Sequence, residues 1–158
     1  MTDHLDTVRT IEQRVRVAAS PETVWKFWTD ASRLCEWWGI EAEIEAQPGG
    51  IFRISMSADG PIMSGTYVTL EPLARLVFTF GWEGNPMGEA LAPGTTQVEV
   101  TLTAIDADTD LLLVHRELPE PYADEHARGW ALFIGERLPV AAAETTRQPK
   151  PQTGSDAS

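Results

Sequence analysis

The middle of the chain consists of short segments in which polar and apolar residues alternate. Between residues 41 and 118 these segments are EAEIEA, IFRISMS, IMSGTYVTL, RLVFTFGW, TQVEVTLTAI and LLLVHREL. Turn sequences such as QPGG, ADGP, EPLA and DADTD join most of them. A period of two is typical of strands with one buried face, and connections this short require antiparallel neighbours. The pattern therefore predicts a mostly antiparallel sheet with one apolar face.

Two short helices are predicted before this region. The strand TIEQRVRVAA is followed by SPETVWKFWTD, with Ser20 at the N-cap position and Pro21 at the first helical position. A second short helix is expected to carry Trp37 and Trp38 and to end at Gly39. Neighbours along a helix point about 100° apart, so the two indoles cannot both face one core from a regular helix.

One long amphipathic helix is predicted after the last strand. The segment YADEHARGWALFIGERLPVAAA places Trp130, Ile134 and Leu138 at a spacing of four residues. A sheet with a single apolar face needs a cover on that face, and this helix is the candidate.

These elements define an α+β fold with one domain. We predict a curved, mostly antiparallel sheet of about seven strands, two short helices after the first strand, and one long C-terminal helix across the sheet. Residues 1–8 are expected to form a flexible arm, residues 9–144 the domain, and residues 145–158 a disordered tail, because TTRQPKPQTGSDAS contains no large apolar residue.

The charge of the chain excludes several classes of partner. A net charge of −12 argues against nucleic-acid binding and against docking on anionic membranes. No apolar run is long enough to insert into a membrane.

The polar start MTDHLDTV differs from a signal peptide, and the single cysteine, Cys35, excludes an intrachain disulfide. A cytoplasmic location is expected, as a monomer or homodimer.

The order of these elements resembles the helix-grip fold of the START-like, or Bet v-like, polyketide cyclase superfamily. SPETVWKFWTD with LCEWWG, QPGGIFRISM, SGTYVTLEPLARLVFTF and HARGW resemble the branch named for the C-terminal domain of the activator of the ninety-kilodalton heat-shock protein's ATPase. The resemblance spans roughly residues 10 to 140. It implies packing and pocket lining, not catalysis, for Trp37, Trp38, Gly49, Gly50, Phe52, Gly65, Gly129 and Trp130. The activator's separate N-terminal domain has no counterpart in this sequence.

A concave sheet around one helix often leaves a cavity between them. We therefore predict a protein that binds a lipid-like or aromatic small molecule there, without a cofactor or a metal. The expected ligand-binding residues are the large apolar and aromatic residues of the inner faces and one histidine: Trp37, Trp38, Phe52, Met56, Met63, Phe78, Phe80, Trp82, His115, Trp130 and Phe133. Of the tryptophan pair, Trp38 is expected at the cavity and Trp37 in the core, although both could be plain core. Met87 and Leu91, in the loop EGNPMGEALAPG, could form a lid.

Two other functions stay open at this point. A cyclase- or hydrolase-type enzyme could use His115 or Glu117 as general acid or base, while no residue is assigned as catalytic. An interaction or regulatory module could instead bind another protein through an exposed apolar surface. His4 and His126 are expected in the arm and on or near the helix surface, and the three histidines lack the spacing of a metal site.

Overall fold

The computed structural model describes residues 8–84 and 91–147, and these form an eight-stranded sheet with helices on one side. The strands are β1 (Val8–Val17), β2 (Glu41–Ile44), β3 (Ile51–Ser55), β4 (Ile62–Glu71), β5 (Arg75–Phe80), β6 (Trp82–Glu83), β7 (Thr96–Ile105) and β8 (Asp108–Pro119). The helical segments are α1 (Pro21–Thr29), α2 (Ala31–Leu34), α3 (Glu120–Leu132), a π-helical turn (Phe133–Arg137) and α4 (Leu138–Arg147).

All strand pairs of the sheet are antiparallel, in the order β1-β8-β7-β5-β4-β3-β2. The short strand β6 pairs with the start of β4 through Ile62 and Met63. The predicted α+β helix-grip architecture is confirmed. The sequence pattern did not predict β6 as a separate strand, because Gly81 interrupts the ladder after Phe80 and the pairing partner changes there.

Each of the two short helices is capped by a side chain, the first by Ser20 as expected from the sequence. The backbone N–H of Thr23 donates to the Ser20 hydroxyl, and that of Ser32 donates to the Asp30 carboxylate. Helix α2 ends at Leu34, earlier than predicted, so that both tryptophans lie in the turn that follows it. Gly39 ends this turn with φ +82°, and a Cβ there would lie 2.3 Å from the Ile54 side chain. Both the backbone angle and the close approach to β3 require glycine at this point.

The C-terminal helix changes its winding in the middle. Pro139 lacks the N–H that would donate to the carbonyl of Gly135, and its ring would clash with that carbonyl in an α-helix. The wider π-helical turn lies directly before this position and accommodates the missing bond. Ile134 and Leu138 remain fully buried on either side of Gly135, as the apolar spacing predicted.

The ends of the domain differ slightly from the predicted boundaries. Val8 already belongs to β1, and α4 continues to Arg147, so residues 145–147 are helical. The Thr145 hydroxyl accepts a hydrogen bond from Arg33 at 3.2 Å. The rest of the predicted arm and tail, with His4, and the predicted lid residue Met87 lie outside the described residues. Within the described part of the chain, no helix is long and apolar enough to span a membrane.

Candidate functional site

An apolar cavity of about 220 Å³ lies between α3 and one end of the sheet. Its sheet side comes from the ends of β5 and β6, and the loop between β3 and β4 and the turn after α2 close two further sides. The lining consists mainly of aromatic and apolar side chains, together with one carboxylate and one histidine: Trp38, Met56, Pro61, Phe80, Trp82, Glu125, His126, Gly129, Trp130 and Phe133.

Helix α3 and the π-helical turn supply half of this lining through one face. Glu125, Gly129 and Phe133 follow each other at a spacing of four residues, and His126 and Trp130 form a parallel row. Residues four apart lie above one another on a helix, so these side chains share one face. Gly129 widens the cavity, because a Cβ at this position would meet nothing within 4 Å.

The two adjacent tryptophans have different surroundings. Trp38 lines the cavity, where its ring centre lies 5.1 Å from that of Trp130. Trp37 is outside the lining and 1% exposed, and its Nε1–H donates to the carbonyl of Phe27 at 2.9 Å. The hydrogen bond of Trp37 therefore connects the turn after α2 to α1, whereas Trp38 forms part of the cavity wall.

His126 is held in one neutral form by its two hydrogen bonds. Its Nδ1 lies 2.8 Å from the carbonyl of Tyr122, which can only accept, so Nδ1 carries the proton. Its Nε2 accepts the Nε1–H of Trp82 at 3.0 Å. Burial lowers the pKa of His126, while the bond to Tyr122 and the nearby charge of Glu125 oppose that effect. The ring is therefore neutral at pH 7 and joins α3 to β6.

His115 is fixed in the opposite tautomer beneath the cavity. Its Nδ1 accepts the Nε1–H of Trp130 at 3.0 Å. The Thr96 hydroxyl donates to the carbonyl of Phe80, so its oxygen accepts from Nε2–H of His115 at 2.9 Å. His115 is fully buried, and this burial, followed by the nearby His126, lowers its pKa to about 3. An imidazole with both nitrogens engaged and so low a pKa is poorly suited to proton transfer at neutral pH.

The structure brings together about half of the residues that the sequence indicated for the site. Six of them line the cavity: Trp38, Met56, Phe80, Trp82, Trp130 and Phe133. Five others are buried outside the lining: Trp37, Phe52, Met63, Phe78 and His115. Phe52 and Phe78 stack on each other with ring centres 4.1 Å apart. Glu117, the other residue considered for catalysis, is exposed on β8 and absent from the lining.

Three lining residues were not expected from the sequence: Pro61, Glu125 and His126. Gly129 also lines the cavity, as the family resemblance implied. For Glu125 and His126 a signal was present in the sequence, because they share the helical face of Trp130 and Phe133. Glu125 and His126 are the titratable residues of the lining. Among the described residues, no group of three or more histidine, cysteine, aspartate or glutamate side chains could hold a metal ion.

Solved structures from three bacteria share this architecture. A protein from Rhizobium etli described as AHSA1-like is 29% identical, with 98% of this chain and 94% of that chain aligned and a TM-score of 0.68. Protein MLL2253 from Mesorhizobium loti is 22% identical over 87% of this chain and 98% of its own, with a TM-score of 0.72. The Aha1 dimer from Colwellia psychrerythraea is 22% identical over 81% of this chain and 98% of its own, with a TM-score of 0.62. The two structures at 22% identity support the fold alone.

The family comparison covers most of the domain. No curated protein sequence gives a significant match. The model of the family described as "Activator of Hsp90 ATPase homolog 1-like protein" matches residues 18–143 of the 158 in the chain. This range contains both short helices, strands β2 to β8, and the whole cavity lining. The chain therefore belongs to the activator of Hsp90 ATPase homolog 1-like family.

Proposed function

We propose that this protein binds one small aromatic molecule in the cavity between α3 and the sheet. The proposal rests on one observation: the cavity is lined by aromatic side chains, and Gly129, which has no side chain, leaves open space on the helix side of it. The helix-grip superfamily includes carriers and receptors of apolar molecules, which agrees with this use of the fold.

The size of the cavity favours an aromatic molecule over a long lipid. Drug-sized ligands occupy pockets of about 300–1,000 Å³, whereas a dry cavity of about 150 Å³ is enough for benzene. At about 220 Å³, the space suits one or two fused rings. An extended acyl chain would leave much of its length outside.

The cavity lining also favours binding over catalysis. Neither residue considered for acid–base chemistry lies in the lining, and His115 has both nitrogens engaged within the protein. Flat walls such as Trp38 and Trp130 offer large contact areas to another ring.

Filling the cavity from Gly129 tests the proposal. Gly129→Leu should abolish the binding of naphthalene, measured by isothermal titration calorimetry, because the new side chain would occupy the same space. The substitution should not weaken the fold, since leucine in a helix is favoured over glycine by up to about 1 kcal/mol. The parent should also bind naphthalene more tightly than palmitate.

Two further variants serve as controls. Gly129→Ala should reduce the affinity for naphthalene less than leucine does. Gly135→Ala should leave it unchanged, because Gly135 lies outside the lining and its added Cβ would make only an ordinary contact, 3.5 Å from Gln13. A stable Gly129→Leu variant that still binds naphthalene like the parent would show that the cavity is not the binding site.

A further inference from the structure

One charged side chain belongs to the lining of the cavity. Glu125 lies on α3, one turn before Gly129 and next to His126, and it is exposed where the cavity meets solvent. The lining contains no arginine or lysine. A molecule in the cavity therefore meets aromatic rings on several sides and a carboxylate at the rim.

The hydrogen-bonding groups of three lining side chains are already engaged within the protein. The indole N–H of Trp82 donates to His126, and that of Trp130 donates to His115. The N–H of His126 donates to the carbonyl of Tyr122. These side chains therefore have no N–H free for a ligand in the cavity and can offer it their rings, whose faces carry the negative part of the aromatic quadrupole.

From this combination we infer that the ligand is a small aromatic molecule that carries a quaternary ammonium group, with its alkyl groups against the rings and Glu125 as its counter-charge. This inference rests on the proposed function of the cavity and names the class of its ligand. A quaternary ammonium has no N–H to satisfy, and recognition by several aromatic faces is a common way to bind it.

The surrounding charges agree with a cationic ligand. His126 is neutral at pH 7 because burial lowers its pKa, so it adds no positive charge to the wall. Arg137 lies 5.4 Å from the ring centre of Phe133, but it is outside the lining of the cavity, whereas Glu125 belongs to it. The net charge of −12 attracts cations to the protein as a whole.

Two test compounds with nearly the same shape can distinguish an effect of the ligand's charge from an effect of its size. Phenyltrimethylammonium and tert-butylbenzene differ mainly in the positive charge. We expect the parent protein to bind the cation about tenfold or more tightly than the neutral compound at low salt, measured by quenching of tryptophan fluorescence. Added salt should weaken the binding of the cation and leave that of tert-butylbenzene nearly unchanged.

The carboxylate is tested with a matched pair of variants on α3. Glu125→Gln should weaken cation binding about threefold or more and leave tert-butylbenzene unaffected, since the amide keeps the size and removes the charge. Asp124→Asn removes the same charge from the adjacent residue, which is exposed and outside the lining. This control should bind both compounds like the parent.

The possible outcomes distinguish the two proposals. If both compounds bind equally and Glu125→Gln changes neither affinity, the cation assignment is overturned while the aromatic-binding function stands. The same conclusion follows if Asp124→Asn weakens cation binding as much as Glu125→Gln, because the effect would then be one of general charge. If neither these compounds nor naphthalene binds, both proposals are overturned.

Discussion

The two histidines near the cavity have the same kind of partner. Each accepts an indole N–H: His115 from Trp130 and His126 from Trp82. A neutral imidazole has one acceptor nitrogen, and an indole has only a donor. The sequence contains all four residues, but their pairing joins segments far apart in the chain. This pairing could not be predicted from local periodicity, and for that reason the sequence indicated His115 as a ligand-binding residue.

The bond between Trp130 and His115 can be tested by its removal. Trp130→Phe should lower the free energy of unfolding by about 1–3 kcal/mol beyond the loss of ring area, because Nδ1 of His115 would stay buried without a donor. The measurement is unfolding in urea, followed by circular dichroism.

The double variant Trp130→Phe, His115→Leu provides the control for this prediction. It should lose clearly less stability than the sum of the two single variants, since replacing both partners removes the unpaired acceptor. Strictly additive losses would show that the hydrogen bond contributes nothing to stability.

At the scale of whole elements, the sequence predicted most of the fold. Periodicity and turn residues predicted the order of strands and helices, and the cap residue Ser20 has its expected role. The extent of the cavity was harder to predict, because alternation shows which strand face is buried and not which element covers it. Phe78 lies beneath Trp28 of α1, with ring centres 6.0 Å apart, whereas Phe80 on the same face reaches the cavity.

The π-helical turn accommodates Pro139 within the C-terminal helix. Deleting Gly135 should cost about 3 kcal/mol of stability or more, because a turn with one residue fewer becomes α-helical and the ring of Pro139 then clashes with the preceding turn. Urea unfolding of the deletion variant gives the loss directly. Gly135→Ala is the control and should change stability by no more than about 1 kcal/mol. A deletion variant as stable as the control would mean that the π-helical turn is not needed to accommodate Pro139.

Over the whole molecule, the buried histidines make stability depend on pH. Their pKa values in the folded protein lie below the usual 6.5, to about 3 for His115. At pH values between the histidine pKa values of the folded chain and 6.5, the unfolded chain binds more protons than the folded chain. The stability that the two neutral histidines contribute is therefore fully present above pH 6.5 and is lost as the pH falls towards their pKa values in the folded protein.

We expect His115 to lower the free energy of unfolding by up to about 1.4 kcal/mol per pH unit between pH 6 and pH 5, and His126 to add to this fall. In the variant His115→Leu, unfolding should take up about one proton fewer, so the free energy of unfolding should depend less steeply on pH. The measurement is urea unfolding at a series of pH values. Glu83 and Glu99, whose pKa values are lowered by hydrogen bonds from Arg53 and Arg75, contribute mainly at more acidic pH. An unchanged slope in the variant would contradict the assignment of His115 as a neutral group.

Strand β2 has a consequence for how two copies can meet. It ends the sheet, and its outward-facing residues are Glu41 and Glu43. Two molecules that joined their β2 strands about a two-fold axis would have to keep their apolar faces on the same side. The two registers that pair three residues of β2 set Glu41 opposite Glu43 or Glu43 opposite itself, and like charges directly across a strand pair repel. Joining two copies of the protein through β2 is therefore disfavoured.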